Sequence, residues 1–283
     1  MALESLTDFL LEEYMTHTVP AEEAEGDFRN DEGLLCCGVC HQQKECRTEI
    51  AGRTFTVPCM CKCGEDEWER KEREWQEEQR RIRIENMRVS GIADDSLRDV
   101  RFDESDGCEN ILKCQSFVDH WDEIKEQGTG LLLSGPVGTG KTYAAACIAN
   151  ALIDRGVPVL MTNFPTILST SKFEMNDLVR QAMEYDLIIV DDLGVERDTE
   201  YSSETVYQFI DACYRRKKPM IITTNLSLKD LRVQEGLRYK RIYDRVLQMC
   251  VPMLFTGESR RVEIRKEKAN VLREIVFGKS KEE

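Results

Sequence analysis

The amino-acid sequence predicts an α/β fold: a parallel sheet of five strands with helices on both faces, preceded by a small cysteine-bearing module and a charged helix. Three observations carry that expectation. Short, nearly continuous apolar runs recur at Gly130–Ser134, Val157–Thr162, Leu187–Val190, Met220–Thr224 and Val251–Phe255, which is how strands buried on both faces read. Helical stretches such as Thr142–Arg155 and Ser203–Lys217 lie between them, and strand–helix alternation implies parallel pairing with helices above and below. Seven of the twelve cysteines crowd into residues 36–63, apart from these runs.

In chain order, residues 1–35 combine an amphipathic stretch (Leu3, Leu6, Phe9, Leu10, Tyr14) with ten acids against one base, a local −9 of the total −14. Such a leader reads as a solvated or partner-contacting tail. Only −5 remains for the other 248 residues, so the acidic total does not exclude a nucleic-acid partner. The N-terminus has no positive n-region and no apolar run approaches the roughly 18 residues of a membrane span. A cytoplasmic protein is therefore expected.

Residues 36–64 form the cysteine module. Cys37-x2-Cys40 is followed, after eighteen residues, by Cys59-x-Cys61-x-Cys63. A C-x2-C pair with a second close pair reads as a tetrahedral zinc site built from two knuckles. Cys37, Cys40, Cys59 and Cys61 are the expected ligands, with Gly38 allowing the tight turn. Cys63 is an alternative to either member of the second pair, Cys36 and Cys46 are strays, and His41 is a weaker candidate. An iron–sulfur cluster is the rival occupant. So small a module cannot bury a useful core unaided, so zinc is expected to be structural. Cys108, Cys114, Cys147, Cys213 and Cys250 are scattered and read mainly as small core residues.

Residues 65–88, EDEWERKEREWQEEQRRIRIENMR, contain no Gly or Pro, and Trp68, Trp75 and Ile82 recur every seven residues. This predicts a connector helix whose apolar stripe packs on something; a short coiled coil is the alternative. Residues 89–265 hold the α/β domain and 266–283 a charged tail.

Gly135-Pro136-Val137-Gly138-Thr139-Gly140-Lys141-Thr142 follows a predicted strand and opens a predicted helix, the context that makes G-x-x-x-x-G-K-[ST] a phosphate loop. Its backbone N–H groups would face phosphate oxygens, helped by the helix N-terminus. Lys141 would reach the β- and γ-phosphates of ATP, the Thr142 hydroxyl would take a Mg²⁺ position, and Tyr143 would complete the nucleotide-binding set. In YDLIIVDDLG, Asp191 is assigned to the Mg²⁺ shell and Asp192 to polarising the attacking water. An Asp where many such ATPases carry Glu is one methylene shorter, which suggests slow or partner-dependent hydrolysis. Asn225, after MIITT, is placed to orient water. Arg241 and Arg245 stand four apart on one helical face, and Arg260 and Arg261 follow the last strand. The basic run YRRKKP (214–219) reads either as cations suited to a helix C-terminus or as a phosphate-backbone contact.

The ordered series VSGIADDSLRDVRFDE, LSGPVGTGKTYAAACIANALIDRGVPVL, DLIIVDDLGVE, KKPMIITTNLSL, RIYDRV and GESRR resembles the bacterial DnaC/DnaI-type helicase loaders, AAA+ ATPases of the IstB-like superfamily. It spans roughly residues 88–265. The resemblance implies that Asn225 senses the γ-phosphate, that Arg241 is an arginine finger offered to a neighbouring subunit, and that Arg261 is the second sensor, with Arg260 as alternative. It places Phe173, Thr199 and Tyr201 in stretches that contact single-stranded DNA. The implied function is loading of a DnaB-type replicative helicase onto single-stranded DNA, with ATP switching a ring or spiral and residues 1–85 gripping the helicase. A sister group, the IstB-type transposition helpers, supplies the alternative: binding target DNA and recruiting a transposase. An ATP-dependent adaptor without DNA contact is a third reading.

Overall fold

The computed structural model describes residues 21–50, 52–170, 174–194, 200–233, 237–257 and 259–261, together with 269–270, 272–273 and 275–276. The chain forms two compact units, Met1–Arg81 and Ile82–Glu283. The amphipathic stretch of the leader lies outside the described residues, as does most of 266–283.

The first unit is built on two small antiparallel pairs. Strands β1 (Phe28–Arg29) and β2 (Leu35–Cys36) form one, and β3 (Glu45–Ile50) and β4 (Arg53–Pro58) the other. Among its described residues the core is thin: Leu34, Leu35, Cys36, Cys37 and Cys61 are the buried apolar ones. Polar ties compensate. Lys44 donates to Asp27 at 2.6 Å, and Asp27 also accepts from the Gly38 amide at 3.0 Å. The Lys44 ammonium holds the Asp27 carboxyl at about 2. Glu45 accepts from Arg29 at 3.1 Å and from the Leu35 amide at 3.0 Å. Gly38 is required less for a turn than for a close approach, since a Cβ there would stand 2.2 Å from the Gly26 carbonyl oxygen.

Helix α1 (Lys62–Gly91) is longer at both ends than the 65–88 expected. The stripe at Trp68, Trp75 and Ile82 is exposed, so no described residue supplies the packing surface expected for it. At its C-terminal end Arg88 is buried and bonds Asn150, Glu85 and Asp154. Asn150, itself fully buried, donates to the Leu97 and Val100 carbonyls at 2.8 and 3.0 Å.

The second unit continues with α2 (Glu109–Asp119), α3 (Trp121–Gln127), β5 (Gly130–Ser134), α4 (Lys141–Asp154), β6 (Val159–Asn163), α5 (Phe164–Ser169), α6 (Met175–Ala182) and β7 (Leu187–Leu193). Then come α7 (Glu200–Arg215), β8 (Met220–Thr224), α8 (Leu228–Val233), α9 (Leu237–Met249) and β9 (Cys250–Leu254). The five-stranded sheet has the order β6-β7-β8-β5-β9 and every pairing is parallel. Leu131 and Leu133 face a cluster with the alanine-rich α4, whereas Leu132, Ile188, Val190 and Ile222 face one with Phe164, Phe209, Ile210 and Ile242. Both faces are dry, as the continuous apolar runs require. A Cβ on Gly130 would stand 1.7 Å from the Met220 carbonyl oxygen, so this glycine sets the approach of β5 to β8.

Strand positions agree with expectation except in detail. β6 starts two residues later than expected because the Val157 amide closes α4, donating to Leu152 at 3.0 Å. β7 runs on through Asp191 and Asp192, with a register shift between Val190 and Leu193. β9 is an outer strand with Val251 and Leu254 57% and 56% exposed, and it has Pro252 at its centre. In the basic run, Arg215 pairs with Asp211 one turn back at 2.8 Å and Lys218 donates to the Tyr185 carbonyl, in the loop before β7, at 2.7 Å. No described helix is long and apolar enough to cross a membrane.

Candidate functional site

A cavity of about 780 Å³ opens at the C-terminal ends of β5, β6, β7 and β8, where open parallel sheets place ligands. The loop from Gly135 to Gly140 connects β5 to α4. Gly138 and Gly140 take φ of +87° and +95°, a region that glycine enters at little cost. Gly135 lies so near the chain that a Cβ would stand 2.0 Å from the Phe255 carbonyl oxygen. Val137, Gly138, Gly140, Lys141, Thr142 and Tyr143 line the cavity. Pro136 and Thr139 shape the loop, with Thr139 donating to the Pro136 carbonyl at 2.9 Å.

Lys141 donates to the Gly135 and Pro136 carbonyls at 2.7 and 2.8 Å and to Asn225 Oδ1 at 2.9 Å. Burial lowers its pKa, against the pull of Asp192 and Asp191. Thr142 Oγ1 donates to Asp191 at 3.0 Å. Burial raises the Asp191 pKa despite that bond and one from Thr223. A hydroxyl and a carboxylate in contact at a phosphate loop are the oxygen donors a Mg²⁺ ion takes. Lys141, Thr142, Asp191, Asp192 and Asn225 are thus gathered at one mouth.

Thr223 completes the arrangement and was not legible in the sequence. Fully buried on β8, it donates to Asp191 Oδ1 at 2.5 Å and accepts from the Asp192 amide at 2.9 Å. Asp192 sits at φ +63° within the register shift of β7. Bulges beside active sites re-aim side chains, and one threonine hydroxyl locks this one.

Both candidate second-sensor arginines line the cavity. Arg260 is held: its amide donates to Gly138 at 3.0 Å and its guanidinium to Asp106 at 2.7 Å and Cys108 at 3.5 Å. Arg261 is exposed and lies close enough to act on Lys141 electrostatically. The segment around Asp94, Ser96, Glu104 and Asp106 forms a further wall; its residues carry no chemistry-bearing pattern that marks them as pocket. Arg241 is exposed on α9 and is absent from the cavity lining. Arg245 is committed elsewhere, 2.7 Å from Asp211 and stacked 4.5 Å above the Tyr207 ring. Phe173, Thr199 and the side chain of Tyr201 lie outside the described residues.

All twelve cysteines are free thiols. The sulfurs of Cys37, Cys40 and Cys63 lie within 4.8 Å of one another, and the Cys61 thiol contacts those of Cys37 and Cys40. Backbone amides of Cys63 and Gln42 hold the Cys40 thiol down at about 6, while its contact with Cys40 pushes the Cys63 thiol up to about 11. The cluster as it stands therefore favours one thiolate, and a cation would be needed to hold more. Cys59, expected as a ligand, instead donates to the Gln43 carbonyl at 3.4 Å and neighbours Cys46. The gathered set is therefore Cys37, Cys40 and Cys63, with Cys61 beside the first two as a fourth thiol, donors that suit tetrahedral zinc.

Replacing Thr223 with Val, which keeps the shape but removes the hydroxyl, is expected to lower ATP turnover about tenfold or more with ATP affinity little changed. Thr223→Ser should recover most of the rate. Steady-state turnover beside nucleotide titration checks this, and equal loss in both variants would refute the positioning role.

Comparison with known proteins supplies the family. The family model described as "IstB-like ATP binding protein" matches residues 68–269. The replicative helicase loader DnaC of Escherichia coli K12 is 27% identical over 170 residues, covering 57% of this chain and 67% of that protein. DnaC of Buchnera aphidicola subsp. Acyrthosiphon pisum is 27% identical over 151 residues, 50% of this chain and 59% of that one. Among solved structures, one titled "Crystal Structure of the DnaI" shares 25% identity over 59% of this chain and 93% of that chain, with a TM-score of 0.49. The phosphate loop, the paired carboxylates and the family match lead to one conclusion: the chain belongs to the IstB-like ATP binding protein family and is an ATPase.

Proposed function

We propose that this protein is a replication accessory ATPase that loads a DnaB-type replicative helicase onto single-stranded DNA. The observation that carries the reading is the similarity of its ATPase unit to proteins named replicative helicase loaders. Bound Mg²⁺ would neutralise phosphate charge, with Thr142 and Asp191 as its protein ligands. Lys141 would exchange its carbonyl partners for phosphate oxygens. Asp192 and Asn225 would hold the attacking water, and Arg261 would report the γ-phosphate. Because Asp192 is shorter than the Glu often found there, hydrolysis would be slow until a partner completes the site.

Arg241, exposed on α9, supports a finger acting in trans. ATP would then draw subunits into a ring or spiral and hydrolysis would release them. Phe173, Thr199 and Tyr201 are the proposed contacts to DNA, through base stacking and polar interactions. The first unit would grip the helicase, its fold held by zinc on Cys37, Cys40, Cys61 and Cys63. The family description itself favours a second reading, an IstB-type helper that binds target DNA and recruits a transposase.

Three measurements test these roles. Pull-down against the host's replicative helicase, with and without ATP, should capture the full chain and fail when Met1–Arg81 is removed, while the truncated protein still binds ATP. Retention of a transposase in place of the helicase would decide for the second reading. Arg241→Ala should leave ATP affinity intact and lower assembled turnover by about 10³-fold; unchanged turnover would remove the trans finger. Metal analysis should find one zinc per chain, lost in Cys63→Ser and kept in Cys59→Ser; the reverse pattern would restore Cys59 as ligand.

A further inference from the structure

Helix α1 carries Trp68, Trp75, Ile82 and Val89, each seven residues from the next. They are 57%, 59%, 45% and 50% exposed. Seven residues return an α-helix to within about 20° of its starting direction, so the four form one slowly drifting stripe. Isolated exposed apolar residues need no explanation. Four in line along a helix of 30 residues, two of them tryptophan, make a surface that a partner would cover.

The charges on the same helix separate by sign. From Lys62 to Glu78 there are eight acids and four bases, a local −4; from Gln79 to Gly91 there are four arginines and one acid, a local +3. The separation is clearest on the shoulders of the stripe, where Glu67 and Glu74 precede Arg81 and Arg88 on one side and Glu69 precedes Arg83 on the other. A second copy laid parallel would set acid against acid and arginine against arginine. An antiparallel copy sets each acidic half against a basic half.

The apolar stripe selects the same arrangement. With the two-fold axis between Glu78 and Gln79, Trp75 of one copy meets Ile82 of the other, and Trp68 meets Val89. Glu74 then faces Arg81 across the contact. Arg88 is already held by Glu85 and Asp154, so the Glu74–Arg81 pair is the one that reports orientation. These two are exposed, and their intrahelical partners, Arg70 at 3.9 Å and Glu78 at 2.9 Å, are surface ion pairs that exchange readily.

We propose that α1 of one chain pairs antiparallel with α1 of a second copy, an isologous contact that does not require nucleotide. Such a contact differs in kind from the head-to-tail one proposed for the ATP-driven ring. A single stripe is narrow, so the pair is a weak dimer that exchanges with monomer.

Sedimentation velocity on the zinc-loaded full chain without ATP, over a dilution series, should show a monomer–dimer equilibrium. Trp68 and Trp75 are two of the three tryptophans, so emission should move to the red on dilution. The double variant Trp68→Ser/Trp75→Ser should stay monomeric with its helical circular dichroism and ATP binding retained. Glu74→Arg or Arg81→Glu alone should weaken the dimer about tenfold, and combining them should restore it, because opposite charges again meet across the axis. A full chain that is monomeric at the highest concentration overturns the proposal, as does a combined variant no tighter than either single one. A tryptophan dependence seen only when the helicase is present would give the stripe to that partner and equally refute pairing between copies. The dimer itself is read without ATP and without touching Arg241, so the failure of this contact and the failure of the nucleotide-driven assembly are separable.

Discussion

One buried hydroxyl organises the site. Thr223 stands on the strand beside β7 and spans both carboxylates, giving its proton to Asp191 and receiving that of the Asp192 amide. The register shift that turns Asp192 outward would otherwise leave a backbone donor unsatisfied between two strands, at a cost of about 1–3 kcal/mol. The arrangement needs β8 to sit beside β7 with the register shift falling between Val190 and Leu193, and β5 to sit beside β8 closely enough for Asn225 to meet Lys141. Gly130 permits that second approach. The sheet order and the chemistry at its rim are thus one constraint viewed from two distances.

Electrostatics at that rim are poised. Lys141 is buried and Asp191 partly so, and burial pushes each toward its neutral form. Their environment is therefore costly for the protein alone and well matched to a triphosphate with a divalent cation, which brings charge of both signs to the same place. Arg260 contributes differently. Fixed by Asp106 and by the Gly138 carbonyl, it staples the segment after β9 to the phosphate loop and to the wall that precedes α2. Arg261 lines the same cavity and is exposed.

Much of the sheet could be read directly because strands buried on both faces must be apolar throughout, and the glycine loop because its spacing has few other uses. What escaped reading depends on tertiary proximity. Thr223 is an ordinary β-branched residue in a strand where β-branched residues abound; only its distance from Asp191 distinguishes it. Cys59 and Cys63 are equivalent by spacing, and the choice between them is made by how the chain turns from β4 into α1, which takes Cys59 to Gln43 and Cys63 to Cys40. The stripe on α1 was visible as a period of seven, but periodicity gives a direction and not an occupant. Its exposure is a fact only of the folded chain. The wall from Asp94 to Asp106 was marked only through the family resemblance of VSGIADDSLRDVRFDE; that it borders the cavity rests on backbone course.

The outer strand β9 carries a last consequence. Its side chains are half in water, and an apolar border of this kind is a template onto which foreign backbone can crystallise as an extra ribbon. Pro252, at the middle of that border, offers no N–H and breaks the row of donors such an intruder would need. Beside it the Asn110 side-chain amide donates to the Leu254 carbonyl at 3.0 Å, so an imino acid and a side-chain amide together blunt that flank of the described fold.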